Sequence, residues 1–353
     1  EKPIIKELHL GGGTPTFFSP LQLQRLVNGI LAKAEVADEY EFSFEAHPNS
    51  TTKAHLQALF EVGFMRISVG VQDFDAQIMR IINRSQSEAE VRQVTQWARD
   101  IGYTSINFDL IFGLPLQTPA HIERNMALLQ ELRPDRLAFY SYAHVPWIKP
   151  SQRAYSEADL PKGKAKRHLY ELGRTLLEAM GYCEIGLDHF ALRSDGLYKA
   201  LQSGALHRNF MGYTPHYTRL SIGLGVSAIS DSWDGYVQNE KKIKVYKKRV
   251  AAGEIPFFRG HLLSAEDEQI RQHILNLMCR YETTWAMTKG TDESWYASLH
   301  RLEELMRDEL VEYAPFQLKV TERGRPFVRN ICLAFDARYW RRQPEGQLFS
   351  AVV

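Results

Sequence analysis

The chain has 353 residues, 44% of them hydrophobic and 24% charged, with a formal net charge of +1. That length can bury a large core and suits about two domains, and the balanced charge argues against polyanion binding as the main role. No apolar run approaches the ~18 residues of a membrane span, and the composition excludes collagenous, disordered and disulfide-scaffold classes. The three cysteines, Cys183, Cys279 and Cys332, are far apart in sequence and odd in number. They are expected to be reduced, mostly buried thiols of a cytoplasmic protein rather than a metal knot or a disulfide framework. The sequence opens on Glu1 and shows no signal-peptide pattern.

In chain order, β-branched and aromatic runs at 4–10, 40–45, 66–71, 105–112 and 136–142 predict strands. Apolar residues at helical spacing predict helices over 20–34, 52–62, 87–101 and 119–132. The runs end near 11, 46, 72, 112 and 143, a spacing of about 30 residues that suits βα units and a parallel sheet. Glycines at 63, 102 and 181 each follow a helical run and precede an aromatic residue, where a left-handed cap is needed. The expected fold is α/β: a partial (β/α)6-type, TIM-like barrel, with five units before residue 150.

Beyond 150 the pattern predicts a helix over 164–180, an extended run over 182–191, a glycine- and aromatic-rich stretch over 206–230 and a basic, solvated helix over 241–252. A second domain is expected from 259, with helices over 265–280 and 292–308 and a strand pair near 311–313 and 317–321. This is a small, mainly helical, winged-helix-like layout. The expected domains are therefore 1–258, with 151–258 as the barrel's extension, and 259–353. From 260 to 353 there are 12 Lys/Arg against 14 Asp/Glu, a net of −2, so nucleic acid is not an expected partner.

In parallel βα folds, functional groups gather at the carboxyl ends of the strands. Gly11-Gly12-Gly13-Thr14-Pro15 follows the first run. Its glycines allow close backbone approach to a ligand, although three glycines alone also describe a plain turn. Glu45 ends the second run, Gln72 the third, and Arg84 follows the next helix; a guanidinium there suits a ligand carboxylate. Asp109 interrupts an apolar strand, and a buried acid must be paired.

Together these segments resemble the radical S-adenosylmethionine superfamily and, within it, the oxygen-independent coproporphyrinogen III oxidases of heme biosynthesis. The resemblance runs through Leu8-His9-Leu10-Gly11-Gly12-Gly13-Thr14-Pro15-Thr16, Gly70-Val71-Gln72-Asp73-Phe74 and Asp109-Leu110-Ile111-Phe112-Gly113-Leu114-Pro115. It continues in Tyr142-Ala143-His144-Val145-Pro146, Leu187-Asp188-His189-Phe190-Ala191, His207-Arg208-Asn209-Phe210 and Arg329-Asn330-Ile331-Cys332. It implies an S-adenosylmethionine site at Gly12, Gly13, Thr14, Glu45, Gln72, Arg84, Asp109, Ala143 and Ile229. It also implies a [4Fe-4S] cluster, and radical decarboxylation of two propionates of coproporphyrinogen III to vinyl groups. The product is protoporphyrinogen IX, and an electron donor and acceptor are further partners. His189, His207 and Arg208 are candidates for receiving propionates.

The sequence departs from the family at the cluster. The family's Cys-x3-Cys-x2-Cys loop and the strand before it have no counterpart here, so an amino-terminally truncated pattern is expected, inactive without that loop. Met211 stands where the family commonly has Gln near a proposed second S-adenosylmethionine site, and His47 where it often has Asp. A non-catalytic tetrapyrrole carrier, like the heme-chaperone branch, is the alternative reading.

Overall fold

The structure is a computed structural model describing residues 2–285 and 293–341, with the side chains of 293–296 outside that description. Its residues divide at 199/200 into two compact units.

The first unit opens with β1 (Ile4–Leu10), α1 (Pro20–Leu31), β2 (Glu35–Ala46), α2 (Lys53–Glu61) and β3 (Arg66–Gln72). It continues through α3 (Ala76–Ile81), α4 (Glu88–Ile101), β4 (Ser105–Phe112), α5 (Pro119–Leu132) and β5 (Arg136–Ser141). It closes with α6 (Gly163–Ala179), β6 (Tyr182–Gly186), β7 (His189–Leu192) and α7 (Gly196–Ser203), the last running a few residues past the division. One sheet has the order β1-β2-β3-β4-β5-β7-β6. Its first five strands are parallel, and β7 runs antiparallel to both of its neighbours, β5 and β6. The expected partial barrel of five βα units is present. The extended run expected over 182–191 is instead a hairpin, turned where Leu187 takes φ 51°.

Strand side chains alternate faces. One face carries Phe42, Phe44, Ile67, Val69, Ile106, Phe108, Leu137 and Phe139, all buried. They form one core with Leu23 and Val27 of α1, Leu56 and Leu59 of α2, Val91 and Val94 of α4, Ile122 and Met126 of α5, and Leu169 and Leu177 of α6. The helices therefore cover that face. Several start on strong caps: Ser19, Thr52 and Ser87 each accept from a backbone N–H three residues on. The opposite face is polar, with Glu41, Ser43, Glu45, Arg66, Ser68, Asn107, Asp109 and Arg136 at alternate positions of β2 to β5. All-parallel sheets covered on both faces read as continuous apolar runs; this alternation marks a sheet curled around a polar interior.

The second unit contains β8 (His207–Asn209), β9 (Gly212–Thr214), β10 (Ile229–Asp231), β11 (Gly235–Asn239), α8 (Ile243–Ala251), β12 (Phe257–Leu262) and α9 (Ala265–Arg280). After these come β13 (Glu282–Thr284), α10 (Glu293–Arg301), α11 (Glu303–Arg307), β14 (Val311–Ala314), β15 (Gln317–Val320), α12 (Val328–Phe335) and α13 (Ala337–Arg341). The small sheet β13-β15-β14 beside short helices matches the winged-helix-like expectation. The helix expected over 292–308 is two helices meeting at Leu302, and position 292 lies outside the described residues. The expected boundary at 258/259 falls inside β12, which pairs with β11; the contacts put the division earlier. α8 has no buried residue, in keeping with a solvated basic helix.

Candidate cofactor site

The polar face of the first sheet is layered along the strands. At the amino ends, Arg136 is almost fully buried and donates to both oxygens of Asp195 at 2.7 and 2.8 Å and to Glu41 at 3.0 Å. Arg66 pairs with the same Glu41 at 2.9 Å. Two cations share two carboxylates here, which is what keeps such charges tolerable out of water. The middle layer is built on hydroxyl and amide groups: Ser43 bonds His9 Nδ1 at 2.9 Å and accepts from Arg66 at 3.3 Å, and Ser68 accepts from Asn107 at 2.9 Å.

The carboxyl-end layer holds most of the residues expected at the site. Pairing sets Glu45 beside Ser68, Gly70 beside Asp109 and Asp109 beside Ala138. Asp109 accepts from Ser68 at 3.2 Å and Asn107 at 2.9 Å. Burial, against these hydrogen bonds and the nearby His189, pushes its carboxyl up to about 6. Glu45 lies 3.6 Å from His9 Nε2. A Cβ on Gly11 would fall 2.9 Å from Glu45 Oε1 and 2.7 Å from His9 Nε2, so a side chain there would push both of these groups aside. Gly12 and Gly13 follow at φ 76° and 136°, where a Cβ would meet nothing within 4 Å. Their backbone borders open space, as a ligand-cradling loop requires. Thr14 then begins a turn by accepting from the Phe17 amide at 2.9 Å, and buried Thr16 ties the loop to Ser50 and Thr51.

Gln72 adopts φ 69° at the end of β3, a conformation costly for a residue with a side chain. Its neighbour Asp73 holds it there: 1% exposed, Asp73 accepts from the Asp75 amide at 2.7 Å, Gln117 at 2.8 Å and Asn125 at 3.0 Å. Gln117 in turn accepts from the Gly113 amide at 2.7 Å, so the loops after β3 and β4 are braced together. Arg84 donates to the Gly70 carbonyl and to Gln86 and feels the charge of Asp109. Its guanidinium is thus anchored at the rim. A Cβ on Gly70 would fall 2.8 Å from Arg84 Nη2 and 3.1 Å from Gln72 Nε2. His47 is also close, its pKa lowered by burial and then by Arg84. Ala143 lies just beyond β5, after the Tyr142 amide extends the pairing to the Phe112 carbonyl at 2.8 Å. His189 on β7 bonds Asp188 at 2.8 Å and meets Tyr140 edge-on at 5.8 Å.

Gly12, Gly13, Thr14, Glu45, Gln72, Arg84, Asp109 and Ala143 thus belong to the carboxyl halves and following loops of the parallel strands, and His189 to the start of antiparallel β7 beside Ala138. Ile229, His207 and Arg208 belong to the second unit, on β10 and β8. His207 has its pKa lowered by burial and then by Arg271. Sequence reasoning missed Ser68, Asn107 and Asp73; polar residues at period two in otherwise apolar strands were the available signal for the first two.

The rim's donor set fits an amino-acid nucleotide: backbone N–H groups, a carboxylate for an ammonium and a guanidinium for a carboxylate. It does not fit an iron–sulfur cluster, whose ligands are thiolates. Cys183 is on β6, Cys279 on α9 and Cys332 on α12, all free. Burial pushes the thiols of Cys279 and Cys332 up to about 11 and about 12. Among the described residues, no group of three or more His, Cys, Asp or Glu is arranged to hold a metal ion.

Residues 1–129 match the Radical SAM superfamily. Over 356 aligned positions the chain is 38% identical to the oxygen-independent coproporphyrinogen III oxidase of Salmonella typhimurium, covering 99% of this chain and 77% of the relative. The Helicobacter pylori protein of the same name is 38% identical over 94% of this chain and 74% of its own length. The solved structure of coproporphyrinogen III oxidase (HemN) from Escherichia coli, described as a radical SAM enzyme, matches with a TM-score of 0.88 at 37% identity. That match covers 94% of this chain and 78% of that one.

Proposed function

Because the chain belongs to the oxygen-independent coproporphyrinogen III oxidases of the radical SAM superfamily, we propose that the carboxyl rim of its parallel sheet seats S-adenosylmethionine beside the propionate to be oxidised. The activity is the family's: coproporphyrinogen III loses two propionate carboxyls as its side chains become vinyls, a step of heme biosynthesis. In the family, S-adenosylmethionine and a [4Fe-4S] cluster would supply the radical chemistry; the described residues here offer a seat for S-adenosylmethionine and no thiolate set for the cluster.

The chain's own residues bind and orient. The amides of Gly12, Gly13 and Thr14 and the Glu45 carboxylate receive the polar end of the cofactor, Glu45 accepting from its ammonium. Arg84, anchored on Gly70, receives a carboxylate. Gln72 and Asp109 hold ribose or adenine edges, Ala143 completes the seat on this sheet, and His189, near Asp109, receives a propionate. A cytoplasmic location and two redox partners, one giving and one taking an electron, belong to the same proposal.

The observation that carries it is the open-sided glycine loop set against Glu45, with Asp109 held by Ser68 and Asn107 on the same rim. Calorimetric titration of the chain with S-adenosylmethionine tests it. Glu45→Gln and Asp109→Ala are each expected to weaken binding about tenfold, the effect of losing a hydrogen bond to a charged group, while Lys247→Ala on exposed α8 leaves it unchanged. Unaltered affinity in both rim variants would remove the site from this rim.

A further inference from the structure

In the second unit, α8 and the start of β12 concentrate positive charge. Residues 241–259 hold seven Lys/Arg against the single acid Glu254, a net of +6 in a chain whose formal net charge is +1. Periodicity sorts α8 into two faces. Tyr246 and Arg249, three positions apart, face inward: the Tyr246 hydroxyl accepts from the Gly225 amide at 3.2 Å, and Arg249 donates to Glu254 at 3.1 Å and to the Phe257 carbonyl at 2.6 Å. The Glu240 amide donates to the Pro256 carbonyl at 2.8 Å, so helix and strand form one braced surface. Lys244, Lys247 and Lys248, at i, i+3 and i+4, share the opposite face, and all three are exposed. Among the described residues, none of Lys241, Lys242, Lys244, Lys247 and Lys248 pairs with a carboxylate, whereas Arg249 has two.

Large apolar side chains accompany these lysines. Ile243, Ile255 and Phe258 are 60%, 64% and 52% exposed, and Val250 and Phe257 are exposed as well. The Lys241 ammonium lies 5.7 Å from the centre of the Phe258 ring. Single apolar residues on a surface are ordinary, but a cluster of them marks an interaction site. An acidic protein or a nucleic acid would engage the cations and leave this apolar area in water. A bilayer interface takes both, headgroup phosphates on the ammonium groups and the apolar side chains among the acyl chains.

We propose that α8 and the start of β12 dock on an anionic lipid surface, the lysines at the headgroups and Ile243, Ile255 and Phe258 inserted below them. The coproporphyrinogen reading gives such a surface a use without being needed for it. Replacing two propionates by vinyls removes two negative charges, so the product enters lipid more readily than the substrate.

Co-sedimentation of the full chain with vesicles tests it, comparing phosphatidylglycerol and phosphatidylcholine in equal parts with phosphatidylcholine alone. Binding is expected to the anionic vesicles only, and to weaken as sodium chloride is raised; this comparison uses the unmodified chain and does not depend on a variant folding. Each lysine beside an anionic surface changes partition about fivefold, so the combined variant Lys244→Gln, Lys247→Gln, Lys248→Gln is expected to bind about a hundredfold more weakly. Phe258→Ser is expected to bind about tenfold more weakly. Equal binding to both vesicles, binding to neither, or unchanged binding of the lysine variant overturns the lipid surface. Loss in the lysine variant with none in Phe258→Ser also overturns it and assigns the patch to an acidic protein. Vesicle binding involves neither turnover nor S-adenosylmethionine, so each of these outcomes leaves the enzyme reading standing.

Discussion

Asp109 shows how a single side chain can be both well bonded and uncomfortable. Asn107 and Ser68 donate to it, yet burial outweighs them and raises its pKa from 3.8 to about 6. The folded chain therefore holds that proton more tightly than the unfolded chain. The penalty for ionised Asp109 is absent below about pH 4, grows as pH rises, and is complete above about pH 6, amounting to about 3 kcal/mol. Asp109→Asn cannot ionise, so urea unfolding between about pH 4 and pH 7 should show the variant gaining on the unmodified chain as pH rises. A stability difference that stays flat across that range would mean Asp109 is not strained. A charge at this cost in a cleft is the sort of group that sites retain. In the sequence it is legible as an acid inside an apolar strand. The groups that hold it are not: Ser68 is 41 residues away, and only strand register brings the two together.

Among elements, the parallel strands and their covering helices were the most readable part of the chain, since periods of two and of 3.6 residues alternate cleanly through α5. The hairpin of β6 and β7 was not readable, because its turn places a leucine in the left-handed region where glycine or asparagine is the usual signal. The bracing of Gln72 by Asp73, Gln117 and Asn125 was equally hidden, since its partners come from loops and helices 44 and 52 residues downstream. Packing between α6 and β5 depends on Gly173, where a Cβ would come 2.5 Å from Phe139 Cε1 and 2.7 Å from its Cζ. Phe139 is buried and has no room to retreat, so Gly173→Ala is expected to destabilise the first unit by about 1–3 kcal/mol. Chemical denaturation reads this directly, and an unshifted midpoint would show that the ring can move.

Across the whole molecule, neither described unit contains a helix long and apolar enough to cross a membrane. The cysteines differ in exposure from one element to another. Cys279 and Cys332 are buried with raised thiol pKa values, while Cys183 is half-buried. Iodoacetamide on the folded chain should label Cys183 first and the other two only after denaturation, as thiolate reactivity requires; mass spectrometry gives the order. Early labelling of Cys332 would contradict the packing of α12. The division at 199/200 was not readable from composition, because β10, β11 and β12 join residues on both sides of the expected boundary into one small sheet.

The ion pairs of Arg66, Arg136, Glu41 and Asp195 cross-link β2, β3 and β5 at the amino end of the first unit's sheet. Glu45 and Ser68 stand farther along two of those same strands. Charges remote from the rim thus set the footing on which it is built.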